Sequence, residues 1–352
     1  MKNDAAECYN VGVIGYGWAA TAHIPAINAT RQGRVTAVCS ARTINADELA
    51  AKYGGPITVY RKVDDLLADK TIDVVDITGL PRLHHGQAVA AARAGKHIIL
   101  EKPMANSPGE VADIVAAAAA AGVKGCVCFE CRFSSQLQVT KALLDEGMLG
   151  TLHYGEVDYY HGIGPWYSQF RWTTGKEDGG SALLTAGCHA LDALLMLLGD
   201  PGSPDNPVQS VTSLSTKSVS PIFAPYEYDT SSVTIVRFKG GAVGKTAAVV
   251  DCLQPYYFRT HLIGSQGSLL DDKFHSLRLK ADKAHWSRLS MKMLDSGDVS
   301  DHPYQAQFQA FFDALDKGVD MPLTSFREAK KTFDVIFAAD QSAAQGGVPV
   351  SV

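Results

Sequence analysis

The sequence predicts an α/β protein, with a doubly wound parallel sheet over residues 1–130 and an α+β domain with an open, mainly antiparallel sheet over 131–352. Three observations carry this. A turn, Gly15-Tyr16-Gly17-Trp18-Ala19-Ala20, joins a short apolar run to a helical stretch near the start. Strand-like and helix-like segments then alternate to about residue 129, the pattern of a parallel sheet covered on both faces. Beyond Gly199 the apolar period becomes two, with Gly-rich turns between runs, as in antiparallel strands with one covered face. At 352 residues the chain also exceeds the roughly 250–300 that one core holds.

Val11, Val13 and Ile14 read as a buried strand, and a helix starts near Ala19. Gly15 permits the sharp turn, Gly17 leaves room for a pyrophosphate beside the backbone, and Ala20, in place of a third glycine, still allows close helix–strand packing. Free N–H groups and the dipole at the helix start favour a phosphate. The motif alone also suits a tight turn without a ligand. Its place between strand and helix points to a dinucleotide and a Rossmann-type domain. A helix over 20–30 leads to a second strand over 35–39. An acid just past that strand would bind a ribose 2′-hydroxyl and repel a 2′-phosphate. The chain has Ser40-Ala41-Arg42-Thr43 there. Ser40 can donate to a phosphate and Arg42 can pair with it, so the cofactor is NAD or NADP, with a slight lean to NADP. Arg42 as a solvated residue is the alternative.

A helix over 45–53, a strand over 59–60, a helix over 63–69, a strand over 73–78 ending in Thr78, a helix over 83–94 closed by Gly95 and a strand over 97–100 complete the alternation. Ligands of such sheets bind beyond the strand C-termini. Gly15–Ala20, Ser40, Arg42, Pro81 and Lys102 all fall at that edge.

These residues, with Pro81 and His85 and with Ala94-Gly95-Lys96-His97 leading into Glu101-Lys102-Pro103, resemble the Gfo/Idh/MocA oxidoreductases. That is the glucose–fructose oxidoreductase and inositol dehydrogenase family, and the resemblance covers essentially the whole chain. It implies cofactor contacts from Gly15, Tyr16, Gly17, Trp18, Ala19, Ser40, Arg42, Thr78, Pro81, His85, Glu101 and Lys102. It also implies that Lys102 is catalytic beside the nicotinamide. The chemistry agrees. A lysine facing a cationic nicotinamide should have its pKa lowered and can then donate to a substrate hydroxyl and move a proton. A purely structural pairing with Glu101 is the alternative.

The second part begins with an alanine-rich helix over 108–122 and a strand over 123–129. The family has Asn where this chain has Glu130, which alters the local nicotinamide contact. A helix over 136–146 and a long strand over 152–160 follow, and then a loop over 162–180 bearing Trp166, Tyr167, Phe170, Arg171 and Trp172. Aromatic faces beside polar groups suit a sugar ring, and the family often carries a Trp here. Trp166, Arg171 and Trp172 are therefore candidate substrate contacts, with a loop pinned by its aromatics as the alternative. From Gly179 the spacing predicts a helix to Leu198. Thr185, His189 and Asp192 fall at i, i+4 and i+7, on one face of it. The family pattern G-G-G-x-x-x-D-x-G-x-H-x-x-D implies that His189 is a catalytic partner of Lys102. Thr185 stands where the family has Asp, and a hydroxyl cannot hold a positive charge on His189. Thr185 and Asp192 are expected at the substrate.

Strand-like runs follow at 210–220, 231–238, 242–250, 257–263 and 268–270, with amphipathic helices over 304–316 and 325–344. One face of the sheet is free to meet a second copy, so a homodimer or homotetramer is expected. Tyr304 is placed within reach of the cleft. The net charge of −5 gives no case for nucleic acid or an anionic membrane. No apolar run approaches the ~18 residues of a membrane span, and no signal-peptide pattern opens the chain, so a cytoplasmic location is expected. Seven cysteines, an odd number, argue against a disulfide framework. Cys126, Cys128 and Cys131 lack the partners of a usual zinc set, and no metal is assigned. The expected reaction is hydride transfer between nicotinamide and a secondary alcohol of a sugar, glycoside or cyclitol. Redox-neutral glycoside cleavage through a transient keto-sugar, or silent binding of a dinucleotide or sugar, are the alternatives.

Overall fold

The structure, a computed structural model, describes residues 8–200, 202–280 and 284–352. The chain divides into two compact units. One runs to Glu130 and takes in Val299–Lys330, and the other holds Cys131–Asp298 and Lys331–Val352. The sequence predicts a single cut, at 130. The return of 299–330 to the first unit is a correction, because helical periodicity says which face of a helix is apolar but not which core receives it.

In the first unit, β1 (Tyr9–Ile14), β2 (Gly33–Cys39), β3 (Thr58–Tyr60), β4 (Val74–Ile77), β5 (His97–Leu100) and β6 (Gly125–Val127) form one parallel sheet in the order β3-β2-β1-β4-β5-β6. Val11, Val13, Val74, Val75, Ile98, Ile99 and Leu100 are fully buried, as expected of strands covered on both faces. The connecting helices are α1 (Trp18–Asn28), α2 (Ala46–Tyr53), α3 (Val63–Ala68), α4 (Pro81–Arg93) and α5 (Pro108–Ala121). Asn45 caps α2 by accepting from the Asp47 and Glu48 N–H groups, and Ser107 caps α5. These side chains satisfy N–H groups that a helix start leaves open. Helix α4 begins two residues before the expected start because Pro81 suits the first helical position. The strand order reverses between β1 and β4, so the crevice at their C-terminal ends is where such a sheet takes a ligand.

In the second unit, α6 (Ser135–Asp145) precedes β7 (Leu152–Tyr160). The 162–180 segment, expected as loop, contains two short helical turns, α7 (Phe170–Thr173) and α8 (Lys176–Gly179). Helix α9 (Cys188–Leu198) follows a π-helical turn over Leu183–Gly187. The strands β8 (Val208–Thr216), β9 (Ser231–Phe238), β10 (Val243–Val249), β11 (Tyr257–Gly264), β12 (Gly267–Leu270), β13 (Lys273–Ser276), β14 (Ser287–Arg288) and β15 (Val350–Ser351) join β7 in a nine-stranded sheet. Its one parallel pair among the described residues is β7 with β10, and the other pairs are antiparallel. Along β9, Thr234, Val236 and Phe238 are buried while Val233, Ile235 and Arg237 are exposed, so one face is covered and the other open. Helices α10 (Tyr304–Asp316) and α11 (Phe326–Ala344) complete the chain. The run Lys176–Leu198 is long and apolar enough to cross a bilayer by composition, but 89% of its apolar window is buried in the protein, as in a core helix.

Candidate active site

The glycine turn has the form its sequence requires. Gly15 takes φ +99°, in the left-handed region, and a Cβ there would meet the Thr78–Gly79 backbone at 3.0–3.1 Å. Gly17 caps α1 without any side-chain hydrogen bond, and a Cβ there would meet nothing within 4 Å. An open space in front of uncapped helix N–H groups fits a pyrophosphate. The Thr78 hydroxyl donates to Gly15 O at 2.8 Å, so Thr78 holds the loop in shape. Trp18 and Ala19 form the first turn of α1.

Past β2, the Ser40 hydroxyl accepts the Arg42 N–H at 3.2 Å, and the Arg42 guanidinium donates to the Tyr16 carbonyl. The Tyr16 and Tyr53 hydroxyls are 3.0 Å apart, and the Lys52 ammonium lies 4.9 Å from the Tyr53 ring centre and 6.0 Å from that of Tyr16. Two cations thus flank Tyr16, at the edge where the sequence placed an adenosine ribose.

At the end of β5, the Lys102 N–H donates to Oε2 of Glu101 at 2.9 Å, and the Lys102–Pro103 peptide is cis. The sequence selected His85 for this neighbourhood, and the structure corrects it. His85 points away to α5, with Nε2 2.7 Å from Asp113. Its neighbour His84 is 1% exposed and bridges two turns, with Nδ1 2.7 Å from Pro103 O and Nε2 3.2 Å from Gly79 O. In adjacent histidines on one helix the sequence does not show which faces inward. Glu101 is itself buried, its side chain held by His23 and Tyr304.

In the second unit, His189 on α9 is 4% exposed, and one of its ring nitrogens lies within 4.8 Å of the Cys131 sulfur. The single α-helical face expected for Thr185, His189 and Asp192 is broken. The π turn adds a residue to its coil, and Thr185, inside that turn, hydrogen-bonds Tyr228. The turn lies hard against β10, where a Cβ on Gly187 would sit 2.3 Å from Cβ of Ala248. Asp192, expected at a substrate hydroxyl, has other partners. It accepts from Arg132 Nε at 2.6 Å and Nη2 at 2.7 Å, and from the Thr332 hydroxyl at 2.7 Å. Both charged groups are 1% exposed. Asp192 is thus buried and held by Arg132 and Thr332, one turn beyond His189. Its role was hidden because Arg132 lies 60 residues away in sequence.

A cavity of about 480 Å³ opens beside the end of β7. His161, Trp166, Cys252, Gln254 and Tyr256 contribute to its wall. His161 Nδ1 is 3.0 Å from the Tyr159 hydroxyl, and its ring is 4.9 Å from that of Tyr167 and 5.3 Å from that of Tyr256. Trp166 is half a wall and half exposed, its indole N–H donating to Gly162 O at 3.0 Å. Of the three loop residues expected at substrate, Trp166 lines this cavity. Trp172 turns its indole N–H to Gln169, and Arg171 is exposed. His161 and Tyr256 were missed, since their strand ends meet only through the β7–β11 pairing.

Residues 9–129 match a family described as "Oxidoreductase family, NAD-binding Rossmann fold", and residues 137–270 match the GFO/IDH/MocA C-terminal domain. The chain belongs to the Gfo/Idh/MocA oxidoreductase family. It is 34% identical over 196 residues to an uncharacterized oxidoreductase of Synechocystis, a match spanning 54% of this chain and 51% of that protein. It is 29% identical to D-glucoside 3-dehydrogenase of Escherichia coli (66% and 68% covered) and 28% identical to levoglucosan dehydrogenase of Pseudarthrobacter phenanthrenivorans (74% and 73%). A levoglucosan dehydrogenase structure with NADH and levoglucosan superposes with a TM-score of 0.83 at 24% identity, over 98% of this chain and 100% of that one. The first unit is thus an NAD-binding Rossmann domain.

The two departures from the family pattern both have partners in this chain. Glu130, where Asn is usual, pairs with His302 Nδ1 at 2.7 Å. Thr185, where Asp is usual, has Tyr228.

Proposed function

We propose that this Gfo/Idh/MocA protein is an NAD(P)-dependent dehydrogenase acting on a secondary alcohol of a sugar, glycoside or cyclitol. One observation carries the reading. The Glu101-Lys102-Pro103 loop stands at the same sheet edge as an open phosphate cradle, in a chain whose named relatives are dehydrogenases of a glucoside and of levoglucosan. The glycine turn and the start of α1 would hold the pyrophosphate. Ser40 and Arg42, with no acid between them, favour NADP over NAD. The nicotinamide, when bound, accepts or returns the hydride. Lys102 polarises the substrate oxygen and stabilises the developing alkoxide. His189 takes or gives the hydroxyl proton. The cavity beside His161, with its aromatic and polar wall, suits the apolar faces and hydroxyl edge of a sugar. Asp192 holds α9 in place for His189. The exposed apolar side chains Leu214, Val233 and Ile235 on the open sheet face suit a second copy of the chain.

The test is a panel of methyl glucosides, levoglucosan and inositols with NAD⁺ and NADP⁺, run on the wild type and on Lys102→Ala. Turnover should fall by at least roughly 10²-fold in the variant, as for loss of a positioned proton-transfer group. Near-normal turnover would remove Lys102 from the reaction. The named relatives are dehydrogenases, which puts net oxidation ahead of redox-neutral glycoside cleavage. Cleavage without added cofactor, by protein that retains nicotinamide through purification, would reverse that order.

A further inference from the structure

The first unit carries a cluster of buried titratable groups that the proposed reaction does not use. It begins at the catalytic loop's own Glu101. His23, from α1, is fully buried. Its Nδ1 lies 3.0 and 3.1 Å from the two carboxylate oxygens of Asp76 on β4, and its Nε2 lies 3.0 Å from Oε1 of Glu101. Tyr304 of α10 donates its hydroxyl to the same Oε1 at 3.0 Å, and its ring centre is 4.5 Å from that of His23. The other Glu101 oxygen accepts the Lys102 N–H. Phe308 packs edge-on against His23. The Cys128 sulfur lies within 4.8 Å of donor atoms of His23 and Glu101, and the charges of Lys102 and Glu130 also act on Glu101.

Ionised carboxylates only accept hydrogen bonds. A histidine with a carboxylate at each nitrogen therefore carries a proton on both. Burial alone would lower the His23 pKa, but the Asp76 charge and the hydrogen bonds to Asp76 and Glu101 reverse this and hold it up at about 10. Burial works against the Glu101 charge, and the hydrogen bond and charge of His23, then Lys102, outweigh it and keep Glu101 below the usual carboxylate range. Burial raises Asp76, and it pushes the Cys128 thiol and the Tyr304 hydroxyl well up, so the last two stay neutral.

We propose that His23 is the positioning residue of the catalytic loop. As a cation tied to Asp76 and Glu101, it fixes the Glu101 carboxylate, and through that carboxylate it sets the backbone and the electrostatic surroundings of Lys102. With His23 in place the Glu101 charge is balanced from behind. Without it, the Glu101 charge acts more strongly on the Lys102 ammonium, whose charge already acts on Glu101, and favours its protonated form. The proposal rests on the reading that Lys102 is catalytic, and its tests are separable from that reading.

The first test uses the wild-type protein without cofactor. Nitrogen NMR of its histidine rings should show His23, assigned through its backbone, doubly protonated from pH 6 to 9. A neutral His23 ring at pH 8 overturns the proposal. The second test follows acetylation of Lys102 by acetic anhydride against pH, read by mass spectrometry. In His23→Gln the Lys102 amine should react at least roughly threefold more slowly at pH 8, since a stronger pull from Glu101 favours its protonated form. The kcat should fall at least tenfold with KM within threefold. A folded His23→Gln with the wild-type acetylation profile overturns the proposal. Should that variant not fold, Glu101→Gln keeps the shape, removes the charge and should speed acetylation; an unchanged rate overturns it. If Lys102→Ala retains turnover, the reaction reading fails, while the His23 NMR result stands on its own.

Discussion

Asp192→Asn removes a charge from a pair sealed from water on both sides, and the structure sets the size of the effect. Asp192 accepts two N–H groups of Arg132 at 2.6 and 2.7 Å and the Thr332 hydroxyl at 2.7 Å. An asparagine keeps one accepting oxygen and turns an NH₂ towards donors, so at least one of these bonds is lost. The Arg132 cation, 1% exposed, then loses the carboxylate that accepts two of its N–H groups. Breaking such a pair from one side costs about 3–5 kcal/mol. Arg132→Met should cost as much, while Arg132→Met with Asp192→Leu should recover part of the loss, since an apolar pair of similar volume is often neutral or better. Thr332→Val, which removes one hydrogen bond to a charged group, should cost about 1.5–3 kcal/mol. Urea unfolding, followed by tryptophan fluorescence and analysed by midpoint shift, measures all four. If Asp192→Asn unfolds within 1 kcal/mol of wild type and only the KM for sugar rises, the anchor argument is wrong and Asp192 is a substrate ligand.

Two further outcomes follow from other parts of the molecule. Arg42→Ala should raise KM for NADP⁺ about tenfold or more and change KM for NAD⁺ less than threefold, since a phosphate contact at this edge contributes about 1.5–3 kcal/mol; equal effects on both cofactors would place Arg42 elsewhere. Asp340, hydrogen-bonded to Ser181 at 2.9 Å, is raised by burial to about 7 from 3.8. The folded protein therefore binds a proton there more tightly than the unfolded chain, so stability should fall as pH rises from about 4 through 7. Asp340→Asn should flatten that decline in urea midpoints measured at pH 4.5, 6 and 7.5.

The first sheet was legible because its signals are local. A glycine turn, a Pro at a helix start and alternating apolar runs each act within a few residues. The form of the glycine turn was legible for the same reason, and Lys102 and His189 are proposed from motifs contiguous in sequence. What stayed hidden depends on pairings across long separations. Arg132 meets Asp192, His302 meets Glu130 over 172 residues, and Tyr304 meets Glu101 over 203. His84 and His85 are neighbours, yet their roles differ because successive positions on α4 point about 100° apart, one side chain towards the loop and the other towards α5. The π turn before α9 was hidden too, since nothing in Leu183–Gly187 distinguishes it from α-helix until Ala248 is packed against it.

The return of 299–330 to the first unit has a consequence for how the protein is made. The N-terminal sheet leaves the ribosome long before the segment that closes it. Phe312 stacks on Tyr9 at 5.6 Å, Gln32 donates to Asp313 and Asp316, and Tyr304 seals the buried charges around Glu101. From Glu130 to Asp316 is 186 residues (316 − 130), or roughly 10–40 s of synthesis at ~5–20 residues per second. During that interval the nascent domain holds Asp76, His23 and Glu101 with one side uncovered. A premature stop before α10 removes Tyr304 and Phe308 from this charge network.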